Sequence, residues 1–595
     1  MHLCAVYIRN FRNFANLDVQ LDGDVVIVGE NRVGKSNFIH ALRLVLDASL
    51  PDSARQLKLA DIWDGADLAE GPEVRVDLNF AGFDTDPGLL ALLTDYRIAA
   101  DHTKAQLSYL FRPKPGLTGP PQSEADYEFT VFGGGDETRP LGNRVRRRMS
   151  FDLLPALRDA EEELRSWRSS PLRPPLEEAV GKVPEDALTD VADELKEATD
   201  KLVAFGPIKG LEDTVRKDIS ELSGRSHDVK AKLGFAPNDP RRLFRSLGLL
   251  IDDGKRSIGD ASLGSANLVL LALELAEFRW RREKNERDHT ILCVEEPEAH
   301  LHPQLQRQVF GQLFRNSSEP RSLFLTTHSP NIASVVPLRS LVLLTASPGD
   351  PRHTRGYSLA RLNVSPEELE DLERYLDTTR AELLFSRGVI FVEGDAEAAL
   401  VPVFAKSCGH DLDDLGVTVC GVGGVNFSPY VKLATALALP FAVITDWDPM
   451  DSGRAPLGRG RLLGLLDDMR TTGGGEPIPA EEKAALEANE GRLREVAASA
   501  GMFTNASTLE LEIAQSGDLL SPLLSLLEAE NFGPVRTQRL VAWRSDPASV
   551  SGEQLLAMVA DIGKGRLAAR LARRAVGLRP PAYIQAGIEH LVAHV

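Results

Sequence analysis

Residues 387–397, RGVIFVEGDAE, decide the fold of the C-terminal part of the chain. The apolar run 389–392 predicts a buried strand, and Glu393 stands where that strand ends. Asp395 suits the N-cap of a following helix, and Glu397 would lie in the first turn of that helix. The stretch therefore predicts two carboxylates at the carboxyl edge of a sheet, where α/β proteins usually place their ligands. An acidic loop with a capped helix is the alternative.

A second stretch, residues 441–448 (FAVITDWD), predicts another buried strand that ends in two acids. Residues two apart in a strand face the same side, so Asp446 and Asp448 are expected to present their carboxylates together. Residues 508–512 (TLELE) offer two further carboxylates, Glu510 and Glu512. Oxygen-rich sites of this kind suit hard cations such as Mg²⁺ or Mn²⁺.

The two acidic stretches together resemble a Toprim domain. That domain carries Glu-Gly-x-x-Glu at the end of one strand and Asp-x-Asp after later βα units, as residues 393–397 and 446–448 do here. Toprim domains act in topoisomerases, primases and nucleases, so the resemblance implies metal-dependent chemistry on phosphodiesters.

Residues 29–36, GENRVGKS, match the phosphate-binding pattern GxxxxGK(S/T). A predicted strand precedes the pattern and a predicted helix follows it, which is the context that a P-loop requires. Backbone amides of such a loop cradle the phosphates, the lysine reaches the β/γ-phosphates and the hydroxyl binds Mg²⁺. The predicted ATP-binding residues are Gly29, Asn31, Gly34, Lys35, Ser36 and Asn37.

Residues 291–297, ILCVEEP, run from an apolar strand into two carboxylates. Glu295 is expected to hold Mg²⁺ through water, and Glu296 to orient and deprotonate the attacking water. The strand predicted at 322–326 leads to His328, which matches a histidine that senses the γ-phosphate. Between the P-loop and these residues, Gly264 and Asn267 resemble a variant signature loop. The order of these motifs resembles an ABC-type ATPase of the SMC/RecF class.

The segment 153–222 has a helical texture, with apolar residues spaced three and four apart from Leu188 to Phe205. A contact with a second subunit and an intramolecular bundle remain open as interpretations of this stripe. The basic run 143–148 is either a phosphate-binding patch or a solvated surface. Residues 116–135 are rich in glycine and proline, which predicts loops.

Composition sets further bounds. With 68 basic and 87 acidic residues the 595-residue chain has a net charge of −19, so binding of nucleic acid would need a local basic groove. The four cysteines are far apart and suggest neither a disulfide framework nor a zinc site. We expect a cytoplasmic protein that does not span a membrane, because the N-terminus lacks a signal-peptide pattern and the longest apolar stretch is too short.

An N-terminal ABC-type ATPase followed by a Toprim domain resembles the OLD (overcoming lysogenization defect) family of nucleases. In this resemblance Glu510 matches an acidic residue that occurs late in the sequences of the family, and Lys564 in the stretch Lys-Gly-Arg matches the catalytic lysine of the family. The family implies a homodimer, Mg²⁺ or Mn²⁺, nicking and cleavage of DNA, and often a role in phage defence or repair.

The sequence thus predicts an α/β protein with an SMC/RecF-like ABC-type ATPase, a helical insert and a Rossmann-like Toprim domain. The expected segments are ATPase at 1–152 and 236–375, the insert, with a dimer contact, at 153–235, and Toprim at 380–595. The predicted function is ATPase-coupled DNA endonuclease activity, with two metal ions held by carboxylates and Lys564 stabilising the transition state. The predicted metal ligands are Glu393, Glu397, Asp446, Asp448 and Glu510, with Glu512 as a lesser candidate. The alternatives are an SMC/RecF-like DNA-binding ATPase with an inert Toprim unit and a Toprim ribonuclease.

Overall fold

The computed structural model describes residues 1–117, 119–155, 170–223, 231–234, 244, 247, 249–258, 261–315, 321–347, 353–449 and 455–595. The chain forms two compact units. The first comprises Met1–Ala156, Asp288–Glu298 and His302–Val595, and the second comprises Leu157–Arg287 and Ala299–Leu301. Parts of the predicted helical insert, at 156–169, 224–230 and 235, lie outside the described residues, and the four segment boundaries stay predictions.

The first unit begins with an antiparallel sheet. The strand Val74–Ala81 alternates buried and half-buried residues, which is typical of a sheet with one face on a core. The spatial order of the strands is Phe14–Gln20, His2–Phe11, Val74–Ala81, Asp101–Pro113, Tyr127–Gly133 and Asp136–Pro140, and Arg97–Ile98 also pairs with Asp101–Pro113.

A second sheet carries the ATP-binding motifs and is parallel except at one edge strand, Thr354–Ser358. Its spatial order is Thr354–Ser358, Leu341–Ala346, Val25–Val28, Arg321–Thr326, His289–Glu295 and Met149–Leu154. The strand before the P-loop therefore lies next to the strand that leads to His328. The helices of this region are Lys35–Leu46, Asp52–Arg55, Pro87–Leu93, Asn143–Arg148, Pro303–Arg315 and Pro330–Ala333.

The C-terminal sheet has four parallel strands, as the predicted Toprim domain requires. The spatial order is Val417–Gly421, Gly388–Val392, Phe441–Thr445 and Met502–Thr504. Helices connect and cover the strands, and their apolar faces form a core of their own, separate from the ATPase core. The helices are Pro366–Tyr375, Asp395–Ser407, Leu412–Leu415, Ser428–Ala436, Leu457–Thr472, Ala480–Ala488, Glu490–Ser499, Leu509–Gln515, Gly517–Glu528, Pro534–Ser545, Gly552–Ile562, Lys564–Ala572 and Ala582–Val592.

Three local expectations are wrong. The helix after Glu393 begins at Asp395, so Gly394 is the N-cap, and Glu397 rather than Asp395 accepts a hydrogen bond from its backbone. The strand at 441–448 ends at Thr445, so alternation along a strand does not explain how Asp446 and Asp448 are arranged. The predicted loop at 116–135 contains the strand Tyr127–Gly133, because its apolar residues pack into the first sheet.

The second unit is mainly helical, with helices Arg173–Gly181, Glu185–Val203, Gly206–Ser223 and Leu263–Glu283 and a short hairpin of Leu250–Ile251 and Arg256–Ser257. The predicted apolar stripe is largely uncovered in the structure. Leu188 is buried, but Leu202 and Phe205 are 47% and 60% exposed. On the next helix, outside this stripe, Leu211 and Leu222 are 57% and 89% exposed.

The basic run at 143–148 forms a helix that is partly structural. Arg146 is buried and donates to the carbonyl oxygen of Val45 at 3.1 Å, and Arg148 pairs with Asp288. Among the described helices, no helix combines the length and apolar character needed to cross a membrane.

Candidate nuclease and ATPase sites

The P-loop needs glycine at two of its positions. Gly29 has φ of 144° and Gly34 has φ of 97°, in the region that side chains rarely adopt. A Cβ at Gly29 would lie 2.3 Å from the carbonyl oxygen of Leu344, and one at Gly34 would lie 2.1 Å from Asn13 Nδ2. The loop is therefore held tightly against its surroundings, and its backbone can face a phosphate.

Lys35 lies buried beneath this loop. Its Nζ donates to the carbonyl oxygens of Gly29 and Glu30 at 3.0 and 2.8 Å. Burial lowers the pKa of Lys35 to about 8, with Glu296 among the nearby carboxylates that act in the opposite direction. The Ser36 hydroxyl acts against the burial that raises the pKa of Glu295, so the predicted Mg²⁺-binding residues of two motifs lie near each other.

Asn37 lies on the other side of the P-loop, next to the first β-hairpin. Its side chain accepts from Arg12 at 2.8 Å and donates to Asn13 at 2.6 Å. Arg12 also pairs with Asp61 at 2.9 Å. Asn37 is thus engaged by protein groups, while Asn31 is exposed. Their contacts with nucleotide stay predictions.

Glu296 and His328 face each other across the carboxyl ends of two neighbouring strands, with His328 Nε2 3.6 Å from Glu296 Oε1. Glu296 has φ of 42°, and strained residues of this kind cluster at functional sites. Glu298, which the sequence pattern does not predict, accepts from the Thr327 hydroxyl at 2.9 Å and the His328 backbone at 2.6 Å. Glu298 therefore fixes the turn that presents His328.

The predicted signature residues lie in the second unit, at the start of the helix Leu263–Glu283. Ser262 caps that helix by accepting from the backbone of Ser265. A Cβ at Gly264 would lie 2.4 Å from the carbonyl oxygen of His300, so this position requires glycine. Among the described residues, the buried Oδ1 of Asn267 has no hydrogen-bond partner.

In the C-terminal sheet, Glu393 follows the strand Gly388–Val392 and turns towards the neighbouring strand Phe441–Thr445. Its Oε1 accepts from the Thr445 hydroxyl at 2.6 Å and from the Asp446 backbone at 2.9 Å. Because the carboxyl ends of parallel strands meet at one edge, the two predicted acidic stretches come together.

Arg461, which was not predicted from the sequence, connects these acids. Its guanidinium lies 3.1 Å from Glu393 Oε1 and 2.9 Å from Asp448 Oδ2, and it also donates to the carbonyl oxygen of Asp446 at 2.9 Å. The side chain is only 9% exposed. Gly458, one turn earlier, allows this close approach, because a Cβ there would lie 2.8 Å from the carbonyl oxygen of Trp447. The glycine-arginine alternation at 458–461 was the available signal.

Asp446 and Asp448 have different environments. Asp446 is buried and accepts from the side chain of Asn505 at 2.5 Å, while Asn505 also accepts from the Trp447 backbone at 2.9 Å. Asp448 has φ of 49°, which turns the chain so that its carboxylate meets Arg461. Asn505, which follows the strand Met502–Thr504, is a further residue that the sequence pattern does not predict.

Glu510 and Lys564 complete the cluster from two further helices. Lys564 Nζ lies 3.0 Å from Glu510 Oε1, and the other oxygen, Oε2, is buried without a partner among the described residues. Glu512 Oε1 accepts from the backbone of Ala506 at 2.9 Å. The loop before its own helix therefore already engages Glu512, the lesser candidate among the six predicted ligands.

The carboxylates of the cluster outnumber its two cationic side chains, Arg461 and Lys564, so their negative charges are only partly balanced. Burial, together with Glu393 and the other nearby carboxylates, raises the pKa of Asp446 to about 8. Burial raises the pKa of Glu397 to about 7, again with Glu393 contributing. Burial opposes the charge on Lys564, but its hydrogen bond to Glu510 and the other carboxylates raise its pKa above the usual value.

These features fit a divalent cation. The donors are carboxylate oxygens, two of them with raised pKa values, and the buried Oε2 of Glu510 lacks a partner. Within the described ranges, however, no three acidic, histidine or cysteine side chains are already arranged around one cation position. Arg461 and Lys564 explain this, because they pair with three of the carboxylates.

Comparisons with known proteins find matches for both the ATPase and the Toprim parts of the chain. The family model described as "Overcoming lysogenization defect protein-like, TOPRIM domain" matches residues 384–448, and an AAA ATPase domain model matches residues 1–100 and 160–333. The OLD nuclease of Thermus scotoductus is 25% identical over 458 residues, which cover 75% of this chain and 82% of that protein. Endonuclease GajA of Bacillus cereus is 22% identical over 472 residues, which cover 78% of each chain. The solved C-terminal region of the Burkholderia pseudomallei OLD protein is 40% identical, with a TM-score of 0.32, and its match covers 36% of this chain and 100% of that one.

The fold and the two sites define a nuclease in which an ATPase is joined to a Toprim domain. The chain carries an OLD-like Toprim domain and an AAA ATPase domain, and its relatives include proteins named OLD nuclease.

Proposed function

We propose that this protein is a metal-dependent DNA endonuclease whose cleavage site is the carboxylate cluster of the Toprim domain. The observation that carries the proposal is the convergence of Glu393, Asp446 and Glu510 with Lys564 at one edge of the parallel sheet. Nucleases that hydrolyse phosphodiesters with two cations need such a set of acidic ligands and a positive charge for the transition state.

The proposed ligands are Glu393, Glu397, Asp446, Asp448 and Glu510. When bound, two Mg²⁺ or Mn²⁺ ions would activate water and stabilise the leaving oxygen. Asn505 and Arg461 would hold Asp446 and Asp448 in place, and Lys564 would donate to the phosphate as negative charge develops on it.

The ATPase site would influence DNA cleavage through the geometry of the dimer, and it would contribute no residue to the cleavage site. Lys35 and Ser36 would hold ATP with Mg²⁺, Glu295 would contact that ion, and Glu296 would activate water. The predicted signature loop at Gly264 and Asn267 would complete the ATP site of a second subunit, so we propose a homodimer. The exposed apolar residues of Glu185–Val203 and Gly206–Ser223 provide a surface for this contact.

Incubation of the purified full chain with supercoiled plasmid, and separately with RNA, tests the function. We expect nicked and linear DNA with Mg²⁺ or Mn²⁺, none with EDTA, and intact RNA. Cleavage of RNA alone would favour the ribonuclease alternative. DNA binding without cleavage under any condition would favour an ATPase with an inert Toprim unit.

The dimer has a test of its own. Light scattering should give twice the chain mass at micromolar concentration with ATP, and Leu211→Glu with Leu222→Glu should reduce that mass. A monomeric wild-type protein with and without ATP would contradict the homodimer. A phage-defence or repair role is a further proposal, which a plaque assay with and without Asp446→Ala would test.

A further inference from the structure

The helix that begins with Lys564 lies in a segment whose charged residues are all basic. Residues 562–588 contain six basic residues and no acidic residue, in a chain whose net charge is −19. The six are Lys564, Arg566, Arg570, Arg573, Arg574 and Arg579. Exposed protein surfaces usually mix charges of both signs, so a segment of one sign in an acidic chain calls for a specific reason.

The fold separates these basic residues from the core. On the helix Lys564–Ala572 the apolar side chains Leu567 and Leu571 are buried, and this face packs on the helix Asp395–Ser407. At about 100° per residue, Arg566, Arg570 and Arg573 fall on the opposite side. We call these three residues the arginine face.

Most of this charge is unpaired within the described part of the chain. Arg566, Arg573 and Arg574 are exposed, and none of them has an ion pair or side-chain hydrogen bond there. Arg570 pairs with Glu530. The nearby acid Asp395 is exposed beside Gly565, at the start of the helix, and is thus away from Arg573.

The arginine face is continuous with the nuclease site, because the first residue of its helix is Lys564, which pairs with Glu510. Arg566 and Arg573 are seven residues apart, or about 10 Å along a helix. Since one DNA strand carries a phosphate about every 3.4 Å of duplex axis, this length spans about three phosphates.

We propose that the arginine face binds the phosphate backbone of duplex DNA next to the bond that is cut. The inference rests on the proposed DNA endonuclease function and adds the surface that places the substrate. Charge complementarity identifies the ligand, because guanidinium groups bind phosphate in a fork geometry and a helix face with two unpaired arginines, Arg566 and Arg573, attracts a polyanion. Because these side chains contact the backbone, the face supplies affinity and position without sequence preference.

The test measures binding of a labelled DNA duplex by the full chain, with fluorescence anisotropy as the readout, over a range of salt concentrations. EDTA is present throughout, because it blocks cleavage. The double variant Arg566→Gln with Arg573→Gln should bind about tenfold more weakly at low salt. The slope of log K against log salt should fall by about 1.8, because each phosphate contact contributes about 0.9. Arg566→Lys with Arg573→Lys should recover most of the slope, since the charges are restored.

The matched control is Arg9→Gln with Arg492→Gln, which removes two other exposed arginines that lack ion pairs in the described structure. Its affinity and slope should equal those of the wild type. ATP hydrolysis and the thermal midpoint should be unchanged in both pairs, which separates lost binding from misfolding.

The outcomes are distinguishable. If the wild type binds and cuts DNA but the arginine-face pair keeps its affinity and slope, the inference is wrong and the proposed function stands. An equal loss in the control pair would also overturn the inference, since net charge alone would then explain the effect. If the wild type neither binds nor cuts DNA, the proposed function fails and this inference fails with it. Loss of RNA binding with unchanged DNA binding would contradict the assignment to DNA.

Discussion

Lys564 and Glu510 form an ion pair of 3.0 Å that joins two separate helices at the edge of the Toprim sheet. Glu510 is buried, and its second oxygen has no partner in the described structure. The lysine is half exposed, so it can reach a substrate phosphate while its carboxylate partner stays in place. The pair thus links a proposed ligand to a proposed catalytic cation.

We expect Lys564→Ala to reduce DNA cleavage by at least about 100-fold, because one charge contact with the transition state is lost. ATP hydrolysis should be unchanged. Gel quantification of plasmid nicking at saturating Mn²⁺ measures the effect. Near-normal nicking by the variant would mean that Lys564 is a surface residue at a helix start and takes no part in the chemistry.

Arg461→Gln should destabilise the metal-free protein by about 2–4 kcal/mol, since the loss of a buried cation leaves its carboxylates without compensation. Divalent metal should recover part of the loss. Urea unfolding with EDTA and with Mn²⁺ measures both quantities. Arg470→Gln, on the same helix, is the control: its pair with Glu482 is exposed and 3.6 Å long, so the change should be within about 0.5 kcal/mol. An equal loss of stability in the two variants would show that Arg461 has no special role in the cluster.

In the metal-free protein, the contribution of Asp446 and Glu397 to folding stability should fall as the pH rises from about 4 to about 8. Asp446 and Glu397, with pKa values of about 8 and about 7, hold protons in the folded chain that the unfolded chain has already released in this range. A divalent metal needs the carboxylates without protons, so its stabilising effect should grow over the same range.

Thermal unfolding at about pH 6 and about pH 8.5, with EDTA and with Mn²⁺, checks this pH dependence. The gain in thermal midpoint on adding Mn²⁺ should be larger at the higher pH. Asp446→Asn should remove much of that difference, because one of the two titrating groups is gone. An equal gain at both pH values would show that these carboxyls do not titrate with metal binding.

The ATPase should depend on Lys35 and Glu296 in different ways. Lys35→Ala removes the cation beneath the P-loop and should abolish both binding and turnover of ATP, while Glu296→Gln should still bind ATP without hydrolysing it. Phosphate release and binding of a fluorescent ATP analogue measure the two steps. Asp446→Ala should keep normal ATPase activity. Wild-type hydrolysis by Lys35→Ala or Glu296→Gln would overturn the assignment.

The sequence could predict the acids at strand ends because local pattern determines them. An apolar run, an acid and a helix start are consecutive at 389–397, and parallel strands bring such ends to one edge. The same reasoning placed the ATP-binding motifs on their strands and helices. The expected α/β fold, with an ATPase followed by a Toprim domain, is confirmed.

Residues that reach the site through tertiary packing could not be predicted in this way. Arg461 and Asn505 contact Asp446 from 15 and 59 positions away, and ordinary helix or strand patterns surround both. Asp448 reaches Arg461 through a left-handed backbone conformation that periodicity does not encode. The basic run at 143–148 shows the opposite error, since packing buries Arg146 in a stretch whose charge suggested a surface.

The central claim is that the carboxylate cluster of the Toprim domain cuts DNA, and Asp446→Ala in the full chain tests it most directly. The measurement is the rate of conversion of supercoiled plasmid to nicked form with Mn²⁺, for protein whose ATP hydrolysis matches the wild type. We predict that cleavage falls to the level seen with EDTA. Cleavage at the wild-type rate would place the chemistry elsewhere in the chain and contradict this account.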